Sequence, residues 1–412
     1  MIEHVLHLIL LLLAARSFGE IATRLGQPAL VGEIGAGLIL AVLAASLNAP
    51  FLAELSRSAF LDLAAEFGIF FLLLLAGLEI APGELFRHSG RSAAVALGGV
   101  LLPLALGMAL AWWVLPDNPM KFVQALLVGV ALSISAVPVA IGVFMDLGMV
   151  HTPTGRTVIA AAILDDIIGL VLLAILTGAI AAGSVPGIGA MLPLLGKAAL
   201  FFLIVAAAGY FGAPRIANLI SRLRIPAPEF TALILTALGF AGLAELLGMD
   251  FIIGAFAAAL LFNAKSLGQA SFARLKATVS DLTMGLLAPL FFLSIGIRVD
   301  FAALAIIPGI VLALILVALM GKIIGAGLPA LLSGLTRKEA LGVGFGMSGR
   351  GAVELIIVSI AWEAGLFDYP GTVVANLFSA LVLMALVTTI VTPIGLRWLF
   401  RERGQQGCNR PS

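Results

Sequence analysis

The sequence is poor in charge. Only 11% of its 412 residues are Asp, Glu, Lys or Arg, against about a quarter in an ordinary soluble domain. With 62% of residues hydrophobic, a water-soluble fold of this length has no way to bury the apolar surface. Cysteine is almost absent. The one thiol, Cys408, lies in a polar tail, which excludes an internal disulfide and a cysteine-based metal site. Histidine is scarce, and His4, His7, His88 and His151 do not cluster in the chain. That argues against a transition-metal site. No G-x-x-x-x-G-K-[ST] segment is present, so P-loop nucleotide hydrolysis is excluded and no cofactor is implied. The net charge of +1 leaves no electrostatic footprint for nucleic acid. The N-terminal Met-Ile-Glu-His lacks the basic region of a signal peptide, so the first apolar run reads as a retained span.

What is present is a series of apolar runs about twenty residues long, each sufficient to cross roughly 30 Å of hydrocarbon. The runs are continuous rather than alternating, which selects helices over a barrel. The chain therefore reads as an all-α membrane protein, a single transmembrane domain over 1–412. Thirteen spans are expected near 2–25, 28–46, 58–80, 89–115, 120–147, 154–182, 189–220, 228–247, 249–265, 270–297, 301–333, 336–365 and 369–400. Turn chemistry separates them at Gly26-Gln27-Pro28, Pro82-Gly83, Pro186-Gly187, Pro226, Pro228, Gly334 and Pro370-Gly371. Residues 401–412 form a short polar tail. With the N-terminus outside, the inner segments hold Arg24, Arg87, Arg91, Arg156, Arg215, Arg222, Arg224, Lys265, Arg274, Lys276, Arg337, Lys338, Arg397, Arg401, Arg403 and Arg410. The outer loops hold only Arg57, Lys121 and Arg298. This asymmetry obeys the positive-inside rule and sets the C-terminus in the cytoplasm.

The chain also resembles itself. Gly32-Glu33-Ile34-Gly35-Ala36-Gly37-Leu38 matches Gly254-Ala255-Phe256-Ala257-Ala258-Ala259-Leu260. Phe70-Phe71 followed by Gly77-Leu78-Glu79 matches Phe291-Phe292 followed by Gly296-Ile297-Arg298. Order and spacing persist, and units separated by an odd number of spans insert with opposite orientation. Repeat one is expected over about 28–182, a linker helix over 189–220, and repeat two over about 249–400. The fifth and twelfth spans are then equivalent, and both carry interruptions. The fifth has Ser133-Ile134-Ser135-Ala136-Val137-Pro138, where Pro138 lacks the N–H that would meet the Ile134 carbonyl. The twelfth has Gly342, Gly344, Gly346, Gly349 and Gly351 around Arg350. Matched interrupted helices point to a binding site at mid-membrane, although glycines also serve close helix packing.

Ionisable residues inside spans are expensive and ask for a function or a partner. Asp165 and Asp166 are adjacent in the apolar sixth span. Successive helical residues diverge by about 100°, so the two carboxyls face different neighbours. Burial and a like charge both favour the protonated carboxyl, which lets one site exchange H⁺ for a metal cation. The structural alternative is a hydrogen-bonded acid pair that pins helices. Lys322, deep in the eleventh span, needs a carboxylate to stay charged, and Asp165 is the natural partner; the alternative is a lysine that snorkels to the interface. Arg350 and Glu354 are one turn apart and can pair. Ser133 and Ser135 can offer hydroxyl or freed backbone oxygens to a cation, or simply cap the broken helix. Glu33 and Glu245 are candidate secondary polar sites.

The segments Val31-Gly-Glu-Ile-Gly-Ala-Gly37-Leu, Phe71-Leu-Leu-Leu-Leu-Ala-Gly77-Leu-Glu79, Ala162-Ile-Leu-Asp165-Asp166, Pro289-Leu-Phe-Phe-Leu-Ser-Ile-Gly296, Gly321-Lys322 and Gly349-Arg350-Gly-Ala-Val-Glu354 resemble the monovalent cation:proton antiporters of the prokaryotic sodium/proton exchanger type, in the cation:proton antiporter-2 family. The resemblance implies thirteen helices, with two crossed discontinuous helices in a core domain and a separate dimerisation domain. It implies a homodimer in a bacterial plasma membrane whose partners are monovalent cations, protons and lipid. Asp166 would bind the ion (Na⁺ or Li⁺) together with Asp165, and Asp165 would pair with Lys322. The exchange would be electrogenic, with elevator-like alternating access. K⁺/H⁺ exchange and Na⁺-coupled solute symport on a similar fold are the competing functions.

Overall fold

The computed structural model of the chain describes residues 2–46, 59–79, 90–135, 152–182, 225–247, 251–300 and 302–407, with short stretches between 140 and 149 and between 196 and 212. Among these residues every regular element is a helix. The principal ones are α1 (Ile2–Arg24), α2 (Ala29–Ser46), α3 (Ala59–Glu79), α4 (Gly90–Val114), α5 (Lys121–Ser133), α6 (Pro153–Ala182), α7 (Pro228–Leu246), α8 (Phe251–Ala259), α9 (Gln269–Leu282), α10 (Ala288–Arg298), α11 (Pro308–Leu332), α12 (Arg337–Gly346), α13 (Ala352–Glu363) and α14 (Leu377–Gly407). Seven helical stretches among the described residues are long and apolar enough to cross a membrane: Leu6–Arg24, Leu61–Glu79, Gly90–Val114, Pro228–Leu246, Gln269–Arg298, Pro308–Leu332 and Leu377–Phe400. Ala29–Ala44, Lys121–Ser133 and Val171–Ala181 are shorter apolar helices. The breaks at Pro82-Gly83 and Pro186-Gly187, Pro138, and most of the linker at 189–220 lie outside the described residues.

Local chemistry explains the helix ends. Gly26 sits at φ 72° in the turn from α1 to α2, where a side chain would also strike the Arg397 guanidinium. Gly334, at φ 92°, ends α11, and the Leu335 N–H turns back to the Ala330 carbonyl at 3.2 Å. Thr336 then caps α12 through a reciprocal box with Glu339. Two departures from unbroken spans stand out. The tenth is built from α9 and α10 joined by a π-helical turn, Thr283–Leu287. The eleventh breaks at Ile307 before α11 begins at Pro308, a residue whose missing N–H is harmless at that position. At the start of α5, Lys121 bonds Asp117 of the preceding loop at 2.8 Å and holds its carboxyl below the usual range.

By its contacts the chain falls into two units. The first comprises Met1–Arg16, Glu33–Phe86 and Ala174–Ile297. Within it α2 crosses α10 where Gly37 meets Gly296, and a methyl at either would overlap the facing backbone. α3 crosses α8 where Gly77 meets Ala259 and the Phe256 carbonyl. Helices in lipid associate through such close approaches, since lipid tails are as apolar as leucine. Glu33 is buried against Arg16 at 3.5 Å, and Arg16 donates to the Met284 carbonyl of the π-helical turn at 3.2 Å. Glu245 is exposed near the end of α7.

The second unit comprises Ser17–Gly32, Arg87–Leu173 and Arg298–Ser412. Its centre is the crossing of α4 with α11. Gly98 lies on the Gly325 carbonyl, Gly325 lies on the Gly98 carbonyl, and Gly321 makes room for Pro103. At the far end of α5, Gln124 is fully buried and donates to the Leu366 carbonyl at 2.8 Å. The α4–α11 crossing carries a prediction. Gly98→Val forces the helices apart and lowers stability by about 1–3 kcal/mol, readable as a lower melting temperature in detergent. An unchanged melting temperature would contradict this packing.

Candidate functional site

The second unit buries four charged side chains within a largely apolar surrounding: Asp165, Lys322, Arg350 and Glu354, none more than 1% exposed. Charges so placed are tolerated only when paired and hydrogen-bonded. Lys322 reaches Asp165 from α11, with Nζ 3.0 Å from Oδ1. The other carboxylate oxygen of Asp165 accepts the Ser135 backbone N–H at 2.8 Å. One carboxylate thus ties α6 to α11 and to the chain just past the end of α5. A snorkelling lysine is ruled out by its complete burial. Asp166 follows on the same helix; its side chain lies outside the described residues.

The end of α5 shows why the site forms here. Ile134 leaves the helix in an extended conformation (φ −81°, ψ 143°). Ser133 turns its hydroxyl onto the Val130 carbonyl at 2.8 Å, so it caps its own helix. Pro138 has no N–H to give Ile134. The carbonyls left over at this C-terminus are taken by Arg350, which donates through Nη2 to Leu132 at 2.6 Å and through Nη1 to Ile134. A guanidinium at a helix C-terminus also opposes the partial negative charge there. Arg350 sits in the interruption between α12 and α13, so one broken span supplies the cap of the other.

Arg350 is itself held by α14. Its N–H donates to the Thr389 hydroxyl at 3.2 Å, and that hydroxyl donates to the Arg350 carbonyl at 3.0 Å. Its Nε lies 3.6 Å from Glu354 Oε2, the i,i+4 pair expected from sequence, yet too long for a hydrogen bond. The Ser135 hydroxyl is buried with no partner among the described residues. Sequence reasoning missed Thr389 and the carbonyls of Leu132 and Ile134. The Thr388-Thr389 pair in an apolar span was the available signal.

A model of the transmembrane sodium/hydrogen exchanger family matches residues 8–402. The chain belongs to this family. Among the relatives of this exchanger-family chain is the Na⁺/H⁺-K⁺ antiporter GerN of Bacillus cereus, 30% identical over 403 residues, covering 97% of this chain and 96% of GerN. An Na⁺/H⁺ antiporter of Enterococcus hirae is 28% identical over 396 residues, covering 96% and 97%. In architecture the family member is similar to the sodium proton antiporter MjNhaP1 of Methanocaldococcus jannaschii at pH 8, with a TM-score of 0.70 at 16% identity and 99% of each chain covered.

Proposed function

We propose that this exchanger-family chain is a secondary antiporter that exchanges Na⁺ or Li⁺ for H⁺, with cation and protons competing at Asp166 and Asp165. The observation that carries the reading is the fully buried Asp165–Lys322 pair beside the broken end of α5. Asp165 is already answered by Lys322. One more carboxylate on the next residue, Asp166, adds net negative charge, which a monovalent cation or a proton would neutralise. Family membership and the names of the relatives support the same chemistry. Exchange driven by a paired acid and lysine is electrogenic on this reading, with more protons moved than cations. K⁺ is the second reading, favoured by the K⁺ in the printed name of GerN.

The reading includes thirteen spans, an outer N-terminus, an inner C-terminus and an inverted repeat. The crossings support the repeat. α2 meets α10 and α8 meets α3, the exchange of partners that a two-fold relation of α2–α3 to α8–α10 requires. α4 and α11, the equivalent helices of the two repeats on this reading, meet each other through Gly98 and Gly325. Elevator-like movement and a homodimer complete the proposal. The test is a proteoliposome loaded with a pH-sensitive dye and given Na⁺, Li⁺ or K⁺ in turn. A proton flux evoked by Na⁺ and Li⁺ is expected. No flux with any of the three ions would remove the antiporter reading, and flux with K⁺ alone would transfer it to the second.

A further inference from the structure

Glu354 stands apart from the other three buried charges. Asp165 receives Lys322 and a backbone N–H, and Arg350 spends both terminal nitrogens on carbonyls. Among the described residues Glu354 receives no hydrogen bond: neither carboxylate oxygen has a donor, and the Arg350 Nε–H that faces it has no acceptor. An ionised carboxylate in this position carries the full desolvation penalty with only a long ion pair to offset it. A proton relieves that penalty at once. The charged groups acting on Glu354 are Arg350 on its own segment and Lys322 on α11, and Lys322 in turn faces Asp165 on α6. α5 and α14 also pack on α13. α5 carries only Lys121, bonded to Asp117 at its far end, and α14 is uncharged from Leu377 to Leu396.

We propose that Glu354 is a second proton-carrying carboxylate of the exchange, releasing its proton to water when a cation occupies the aspartate pair. The inference rests on the antiporter reading and deepens it. Glu354 and Lys322 act on each other's charge, so the charge state of one biases the proton on the other. A cation arriving near Asp165 adds positive charge to the cluster, and loss of the Glu354 proton restores neutrality. The step breaks one O–H bond, leaves the electron pair on the carboxylate and needs no co-reactant. It makes the buried acid four residues beyond Arg350 a participant rather than an anchor for the guanidinium.

The experiment adds Na⁺ to the purified protein in weakly buffered detergent and counts protons released per Na⁺ bound, across pH, for wild type, Glu354→Gln and Glu354→Asp. Glu354→Gln is expected to release fewer protons. Glu354→Asp keeps the acid and should bring the proton count back toward wild type. A wild-type count over an unchanged pH range in Glu354→Gln overturns the proposal and leaves the antiporter reading intact. Failure of both variants to fold assigns Glu354 to holding Arg350 and likewise overturns it. No proton release from wild type itself overturns the antiporter reading, and this inference with it.

Discussion

Asp166→Asn is expected to abolish cation-evoked proton flux while leaving the protein folded. Asparagine keeps the size of aspartate and can accept a hydrogen bond, but it binds no proton and brings no charge. The buried pair of Asp165 with Lys322 survives the change, so the packing of α6 against α11 has no reason to fail. On the competition account, the variant cannot trade one cation for another at this position, and exchange falls by at least about a hundredfold. The assay is dye dequenching in proteoliposomes, with melting temperature as the control. Full exchange in Asp166→Asn would remove this residue from the site.

Lys322→Ala is expected to be the most destabilising single change. Removing one partner of a buried ion pair leaves the other uncompensated, at a cost of about 3–5 kcal/mol. The check is the melting temperature in detergent, which should fall well below that of wild type. Cation preference should change less than stability or pH dependence, because Lys322 contacts Asp165 rather than the ion in this reading. A melting temperature equal to that of wild type would argue against a buried Asp165–Lys322 pair.

How much of this was legible in the chain follows from how rare charge is in it. Asp165, Lys322, Arg350 and Glu354 stand out because nearly everything around them is apolar, and an acid and a lysine at mid-span have few other partners to choose from. The turn between α1 and α2 follows from Gly26 and Pro28 placed between two apolar runs. The cap that Arg350 places on α5 was not legible. It depends on carbonyl groups of Leu132 and Ile134, and every residue has a carbonyl whatever its side chain. The i,i+4 spacing suggested Glu354 as an ion-pair partner of Arg350, and the two do face each other at 3.6 Å, while the terminal nitrogens go to helix-end carbonyls. The roles of Ser133 and Ser135 divided for a similar reason. One hydroxyl is used by its own helix, while the other residue is engaged through its backbone N–H. The Arg16–Glu33 contact was hidden because it joins two helices through a turn whose direction only the fold sets.

The central claim is that cation and proton compete for one buried acidic site. The measurement that bears on it most directly is the Na⁺ concentration giving half-maximal proton flux, determined at a series of pH values in proteoliposomes. Competition predicts that this concentration rises by about tenfold for each unit that pH falls in the range where one proton is displaced per Na⁺ bound. A half-maximal concentration that stays constant across pH, with only the maximal rate changing, would contradict the account.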